Sequence, residues 1–254
     1  MFNRFKNLLF FLSFLHQAFI KNIIMAFIVI EGLDGSGKST QISLLRDYLS
    51  KRDINYKFIH FPRTGHGAFG ELISMFLRGE LGSIGNVNPY LVSLIYAADR
   101  QDAKEDMLEW LSGDRLLLAD RYVMSNVAYQ CAKVGSDKHK QILKEWIYRL
   151  EFETYCIPKP DINIFLDVPF EFTTSNLTQN RYGEERQYLK GQKDIHEADL
   201  DFQKKVRQVY LDEAKNETNY YIVDCKNKSL TGILSPNEIF SRITDLLFQN
   251  GLLK

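Results

Sequence analysis

At 254 residues the chain is long enough for one α/β domain with an ample core. Its 32 basic and 32 acidic residues cancel, so it lacks the broad positive field of a nucleic-acid binder or of a protein held on an anionic membrane. Cys131, Cys156 and Cys225 are scattered and lack a C-x-x-C spacing, which argues against a disulfide framework or a zinc site and predicts three packed, reduced thiols in a cytoplasmic setting.

Residues 1–24 combine a basic start, an apolar stretch and no acidic residue. The apolar stretch is too interrupted to span a membrane and lacks a small-x-small cleavage site. The segment is therefore read as an extension outside the fold, a translation artefact or a targeting tail. The domain is expected to cover 25–254, with Met25 directly before the first strand.

The run FIVI at 27–30 reads as a buried parallel strand. Gly32, Leu33, Asp34, Gly35, Ser36, Gly37, Lys38 and Ser39 then match G-x-x-x-x-G-K-[ST] without a mismatch, and Thr40 follows. In that pattern the backbone N–H groups turn inward toward phosphate oxygens. The lysine reaches the outer phosphates, and the serine hydroxyl is placed for Mg²⁺. Residues 39–50 form an amphipathic helix whose N-terminus completes an anion site. This stretch predicts nucleotide binding with Mg²⁺ as the cofactor; alone it does not distinguish a kinase from a switch or a motor.

A second strand is expected at 56–61, ended by Pro62, with Arg63 at its ligand-side end. A helix at 68–78, a turn-rich connector at 79–88 and one long helix at 89–111 follow, with Gly113 as the stop. Residues 115–119 (RLLLA) read as a third buried strand. Asp120 and Arg121 directly follow it, where an acidic residue can hold Mg²⁺ or its water shell and an arginine can neutralise phosphate. Helices are expected at 122–134 and 138–152, a fourth strand at 161–168, a fifth at 220–223 and a last helix at 238–247. The polar, glycine-bearing segment 179–197 is a candidate lid. Alternating strands and helices predict one α/β domain, a five-stranded parallel sheet covered on both faces, with that lid added.

EGLDGSGKST, FPR, YAADR, DRYVMSNVAYQ and PKPDINIFLDV occur in this order, followed by DIHE and a helix carrying KKVRQVY. In these motifs the chain resembles the thymidylate kinases, P-loop kinases of nucleoside monophosphates, from residue 25 onward. The resemblance implies phosphorylation of dTMP to dTDP by ATP and Mg²⁺. It implies that Asp34 lies near the sugar 3′-hydroxyl and the acceptor phosphate, and that Arg63 and Arg121 bind that phosphate. Tyr96 stacks on the thymine, Arg100 and Asn126 hydrogen-bond the base, and Tyr129 crowds the sugar 2′ position. Some members carry a catalytic arginine inside the phosphate loop, where this chain has Gly35 and Ser36. The cation is then expected from the lid, which offers Arg181, Arg186, Lys190 and Lys193, with Arg186 the first choice. The resemblance also implies a homodimer; neither nucleic acid nor a stable membrane partner is expected. Another nucleoside or nucleoside monophosphate as acceptor remains an alternative. A non-catalytic nucleotide switch is the rival of another class, although VDCK at the fifth strand is not the N-K-x-D guanine motif.

Overall fold

The computed structural model describes residues 26–113, 115–178, 184–192, 194–227 and 232–253. The extension 1–24, Met25, Arg181 and Lys193 lie outside the described residues, as does the side chain of Arg186. Among the described residues no helix is long and apolar enough to cross a membrane.

Five strands form one parallel sheet in the order β2–β3–β1–β4–β5. They are β1 (Ala26–Gly32), β2 (Tyr56–His60), β3 (Leu116–Asp120), β4 (Ile162–Asp167) and β5 (Tyr220–Asp224). β1, β3 and β4 are buried along their whole length, which is why they read as continuous apolar runs rather than alternating ones.

The helices in chain order are α1 (Lys38–Lys51), α2 (Gly67–Leu77), α3 (Pro89–Asp102), α4 (Lys104–Ser112), α5 (Val123–Cys131), α6 (Asp137–Tyr148), α7 (Phe170–Thr178), α8 (Leu200–Glu213) and α9 (Pro236–Gln249). The strand period of two sorts the core into two layers. Ile28, Ile30, Leu118 and Ile164 face Ile42 and Leu45 of α1 and Ile239 and Ile243 of α9. Phe27, Val29, Leu117 and Phe165 face Val127 of α5, Leu143 of α6 and Val206 and Tyr210 of α8. Each such side chain contributes about 1.5–3 kcal/mol when fully buried. β1 lies between β3 and β4, and its chain leaves toward β2 while β3 leads across to β4. The switch point of the sheet is therefore the gap between β1 and β3, where ligands of open α/β sheets bind.

Three details differ from the sequence reading. The long helix is interrupted at Ala103, which closes α3 and opens α4. The next expected long helix ends at Tyr148 and continues as a π-helical turn, Arg149–Thr154. Cys156 is exposed, whereas Cys131 and Cys225 are buried; all three are free. Cys156 follows the π turn with φ 52°, and its backbone leaves the helix before the side chain can pack.

α2 sits so close to the 63–64 turn that only glycine fits at its contact point. A Cβ on Gly70 would lie 2.2 Å from the Arg63 carbonyl oxygen, and Ser74 Oγ donates to Thr64 O at 3.1 Å. Gly70→Ala is expected to destabilise the protein by about 1–3 kcal/mol, the usual cost of forcing extra volume into a packed contact. Thermal denaturation reads the fall in Tm.

Candidate active site

The phosphate loop leaves β1 and enters α1 through Gly37, whose φ of 84° is the left-handed conformation that favours glycine. Ser36 N closes the turn on Leu33 O at 3.2 Å. Lys38 Nζ donates to Gly32 O and Leu33 O at 3.0 and 2.8 Å. Burial, reinforced by the charge of Arg121, pushes the Lys38 ammonium down to about 8. Asn176 Nδ2 of α7 holds the loop from outside through Gly35 O at 2.7 Å.

β3 delivers the second group of charges. Its register sets Asp120 opposite Ile30 of β1, so the phosphate loop and the Asp120–Arg121 pair emerge side by side. Arg121 turns with φ 65°, a left-handed conformation rare outside glycine. Its N–H donates to Ile30 O. Its guanidinium bonds Asp34 Oδ1 at 2.6 Å and Ser125 Oγ at 3.1 Å, and it lies over the Tyr129 ring. Tyr129 OH donates to Asp34 Oδ2 at 2.7 Å. Burial alone would raise the Asp34 carboxyl, but Arg121 and Lys38 outweigh it and hold it well below the usual range.

A third wall comes from α3 and α5. Arg100 is fully buried and grips Glu151 with Nε at 2.5 Å and Nη2 at 2.6 Å. Asn126 Nδ2 donates to the same carboxylate and to Ser93 O, while Asn126 Oδ1 is buried without a partner. Arg63 bonds Asp99 Oδ1 and Asp102 Oδ2, so its side chain is held across the end of β2. Asp34, Lys38, Ser39, Arg63, Tyr96, Arg100, Asp120, Arg121, Asn126 and Tyr129 all line one cleft of about 1040 Å³.

The far rim is the described part of the segment 179–197, the candidate lid. Tyr188 OH donates to Asp194 Oδ2 at 2.9 Å. Burial, together with Asp34 and Glu197, pushes the Asp194 carboxyl up to about 7. The rim is fastened to the end of α2: Ile195 N donates to Leu77 O, and Arg78 Nη1 to Tyr188 O at 2.6 Å. Lys190 is exposed on this segment.

Asp120 has one oxygen, Oδ1, that is buried and unpartnered, and Ser39 is exposed at the first turn of α1. A carboxylate oxygen and a hydroxyl beside a phosphate cradle are hard donors suited to Mg²⁺, which takes one or two carboxylates and completes its shell with phosphate and water. The residues fit that ion.

Four carboxylates of the site were not singled out by the sequence reading: Glu31, Asp99, Glu151 and, as a partner of Arg63, Asp102. Glu31 is fully buried and accepts from Tyr122 N, Ser125 N, Ser125 Oγ and Tyr210 OH. Glu151 stands between Leu150 and Phe152, an apolar setting that was a signal for burial.

A model of the family described as thymidylate kinase matches residues 30–231. The chain belongs to the thymidylate kinase family. Among curated relatives, the thymidylate kinase of Plasmodium falciparum (isolate 3D7) is 33% identical over 181 residues, covering 68% of this chain and 74% of that one. That of Kosmotoga olearia is 34% identical over 182 residues, covering 71% and 77%. Among solved structures, the thymidylate kinase of Candida albicans superposes with a TM-score of 0.65 at 25% identity, covering 89% of this chain and 92% of that chain.

The Arg100–Glu151 pair yields a direct test. Removing one partner strands a buried charge. Glu151→Ala is expected to lower the unfolding free energy by about 3–5 kcal/mol, read by urea denaturation with tryptophan fluorescence.

Proposed function

We propose that the protein transfers the γ-phosphoryl group of ATP to dTMP, giving dTDP and ADP. The observation that carries this reading is the unpaired Asn126 Oδ1 beside Arg100 in a cleft that also holds a phosphate loop. A buried acceptor next to a fixed guanidinium suits a base that offers an N–H flanked by a carbonyl, and thymine does so. Tyr96 supplies a face for stacking. Tyr129, held by Asp34, crowds the sugar and favours deoxyribose.

The chemistry needs no covalent enzyme intermediate. Lys38 and the loop N–H groups bind the donor phosphates, and Arg121 and Arg63 bind the acceptor phosphate. Arg121 is held by Asp34 of the phosphate loop and lies over the Tyr129 ring, so one guanidinium serves both the loop and the acceptor wall. Mg²⁺, when bound through Ser39 and Asp120, neutralises charge on the donor oxygens. Asp34 orients Arg121 rather than acting as a base, because Arg121 and Lys38 leave its carboxylate with little affinity for a proton. The last cation comes from the lid, from Arg186 or its neighbour Arg181. Closure of that segment excludes water from the transferring group. The protein acts as a homodimer through the side of α2 and α3, where Phe69, Leu72, Leu91 and Leu94 are exposed.

ADP release with dTMP, dUMP, dGMP or buffer tests the acceptor assignment. The panel includes other bases because the Candida albicans enzyme is described as having broad substrate specificity. The largest kcat/KM is expected with dTMP; equal rates with all acceptors, or none above buffer, overturn it.

The Lys38 ammonium has a pH consequence. Its charge is present below about pH 8 in the free protein and is lost above it. kcat/KM for ATP, which reports the free protein, is expected to fall as pH rises through 8. kcat reports the nucleotide complex, where phosphates keep Lys38 charged, and is expected to fall only at higher pH.

A further inference from the structure

β2 ends at His60, which neither the phosphate loop nor the acceptor wall requires. His60 stands in register with Asp120 of β3. Parallel pairing therefore sets the two side chains next to each other, on the sheet face where Leu118 packs against α1. His60 Nδ1 lies 3.0 Å from Asp120 Oδ2. Asp120 Oδ1 is enclosed and has no hydrogen-bond partner. Asp120 is 7% exposed, whereas the His60 side chain is 48% exposed. Both line the cleft together with Ser39.

A carboxylate with one oxygen fastened and the other bare has a fixed direction. We propose that His60 is a positioning residue for the metal: its Nδ1–H holds Asp120 Oδ2 so that Oδ1 faces the Mg²⁺ of the bound nucleotide. This rests on the kinase reading above. Donation to a carboxylate puts the proton on Nδ1. Partners of this kind orient metal-binding carboxylates, and their loss weakens metal binding by about 10- to 100-fold.

A purely structural tie is the competing account. β2 and β3 are already joined by a continuous ladder from Tyr56↔Leu116 to His60↔Asp120, and Phe61 N donates to Asp120 O at 3.0 Å. A half-exposed imidazole adds little to that joint, so the two accounts separate cleanly in solution.

The test is a titration of the full chain with Mn²⁺ in the presence of ADP, free Mn²⁺ being read by electron paramagnetic resonance. ADP affinity in EDTA and Tm are measured alongside. His60→Ala is expected to weaken Mn²⁺ binding to the ADP complex about tenfold, with ADP affinity in EDTA and Tm unchanged. His60→Asn places an amide N–H where Nδ1 stands and is expected to stay within about twofold of the original protein. Unchanged Mn²⁺ affinity in His60→Ala overturns the proposal. So does an equal loss of ADP affinity in EDTA, or a folded His60→Asn protein that binds Mn²⁺ as weakly as His60→Ala. The titration needs ADP alone. Failure of dTMP in the acceptor panel therefore overturns the acceptor assignment and leaves this result readable.

Discussion

A single buried carboxylate, Glu31, ties together the elements on which the site rests. It is the last side chain before the phosphate loop and accepts from the first N–H groups of α5 and from the Tyr210 hydroxyl of α8. A negative charge at a helix N-terminus is favourable, and here it also satisfies donors that the first turn leaves open. The end of β1, the start of α5 and the last turn of α8 are thereby locked to one point. Arg121 lies in the short passage between β3 and α5, so its left-handed backbone is held from both ends. Glu31 thus fixes where the central arginine can point.

The cations of the cleft follow one electrostatic rule. A charge taken out of water needs a partner, and the partner sets its direction. Arg100 has Glu151, Arg63 has Asp99, and Arg121 has Asp34. Each pair is fork-shaped or braced by a second acceptor, so each guanidinium lining the cleft is held in one orientation. Lys38 is the exception. It rests on two carbonyl oxygens instead of a carboxylate, and burial therefore lowers its hold on its proton. The loop lysine is the group whose charge a bound phosphate restores most directly.

Much of this was legible in the sequence because the signals were local. Strands β1, β3 and β4 are short, continuously buried runs, and β2 and β5 are short runs with one apolar face. The phosphate loop is a fixed spacing within eight residues. What escaped detection depends on contacts between distant segments. Glu151 has apolar neighbours that hint at burial, but its partner follows only from the π-helical turn carrying it and the approach of α3. Asp99 and Glu31 sit inside motifs whose lysines and arginines draw the attention. His60 closes a strand of alternating pattern and gains meaning only from its register with Asp120. The break at Ala103 has no glycine or proline to announce it, and Cys156 looks like any other scattered thiol. The lid cations Arg181 and Arg186 lie outside the described side chains, and their roles rest on the family's chemistry.

The joint between α2 and the rim of the lid links the two halves of the cleft mechanically. Leu77 and Arg78 close the helix that packs over the Arg63 turn, and the same residues hold Ile195 and Tyr188. The turn at Arg63 and the rim 188–195 are thus joined through the same end of one helix. One backbone hydrogen bond and one arginine side chain make that contact, so a displacement of the rim pulls on the end of α2. Thermodynamic reciprocity then sets a constraint: whatever factor the acceptor adds to the donor's affinity, the donor adds to the acceptor's.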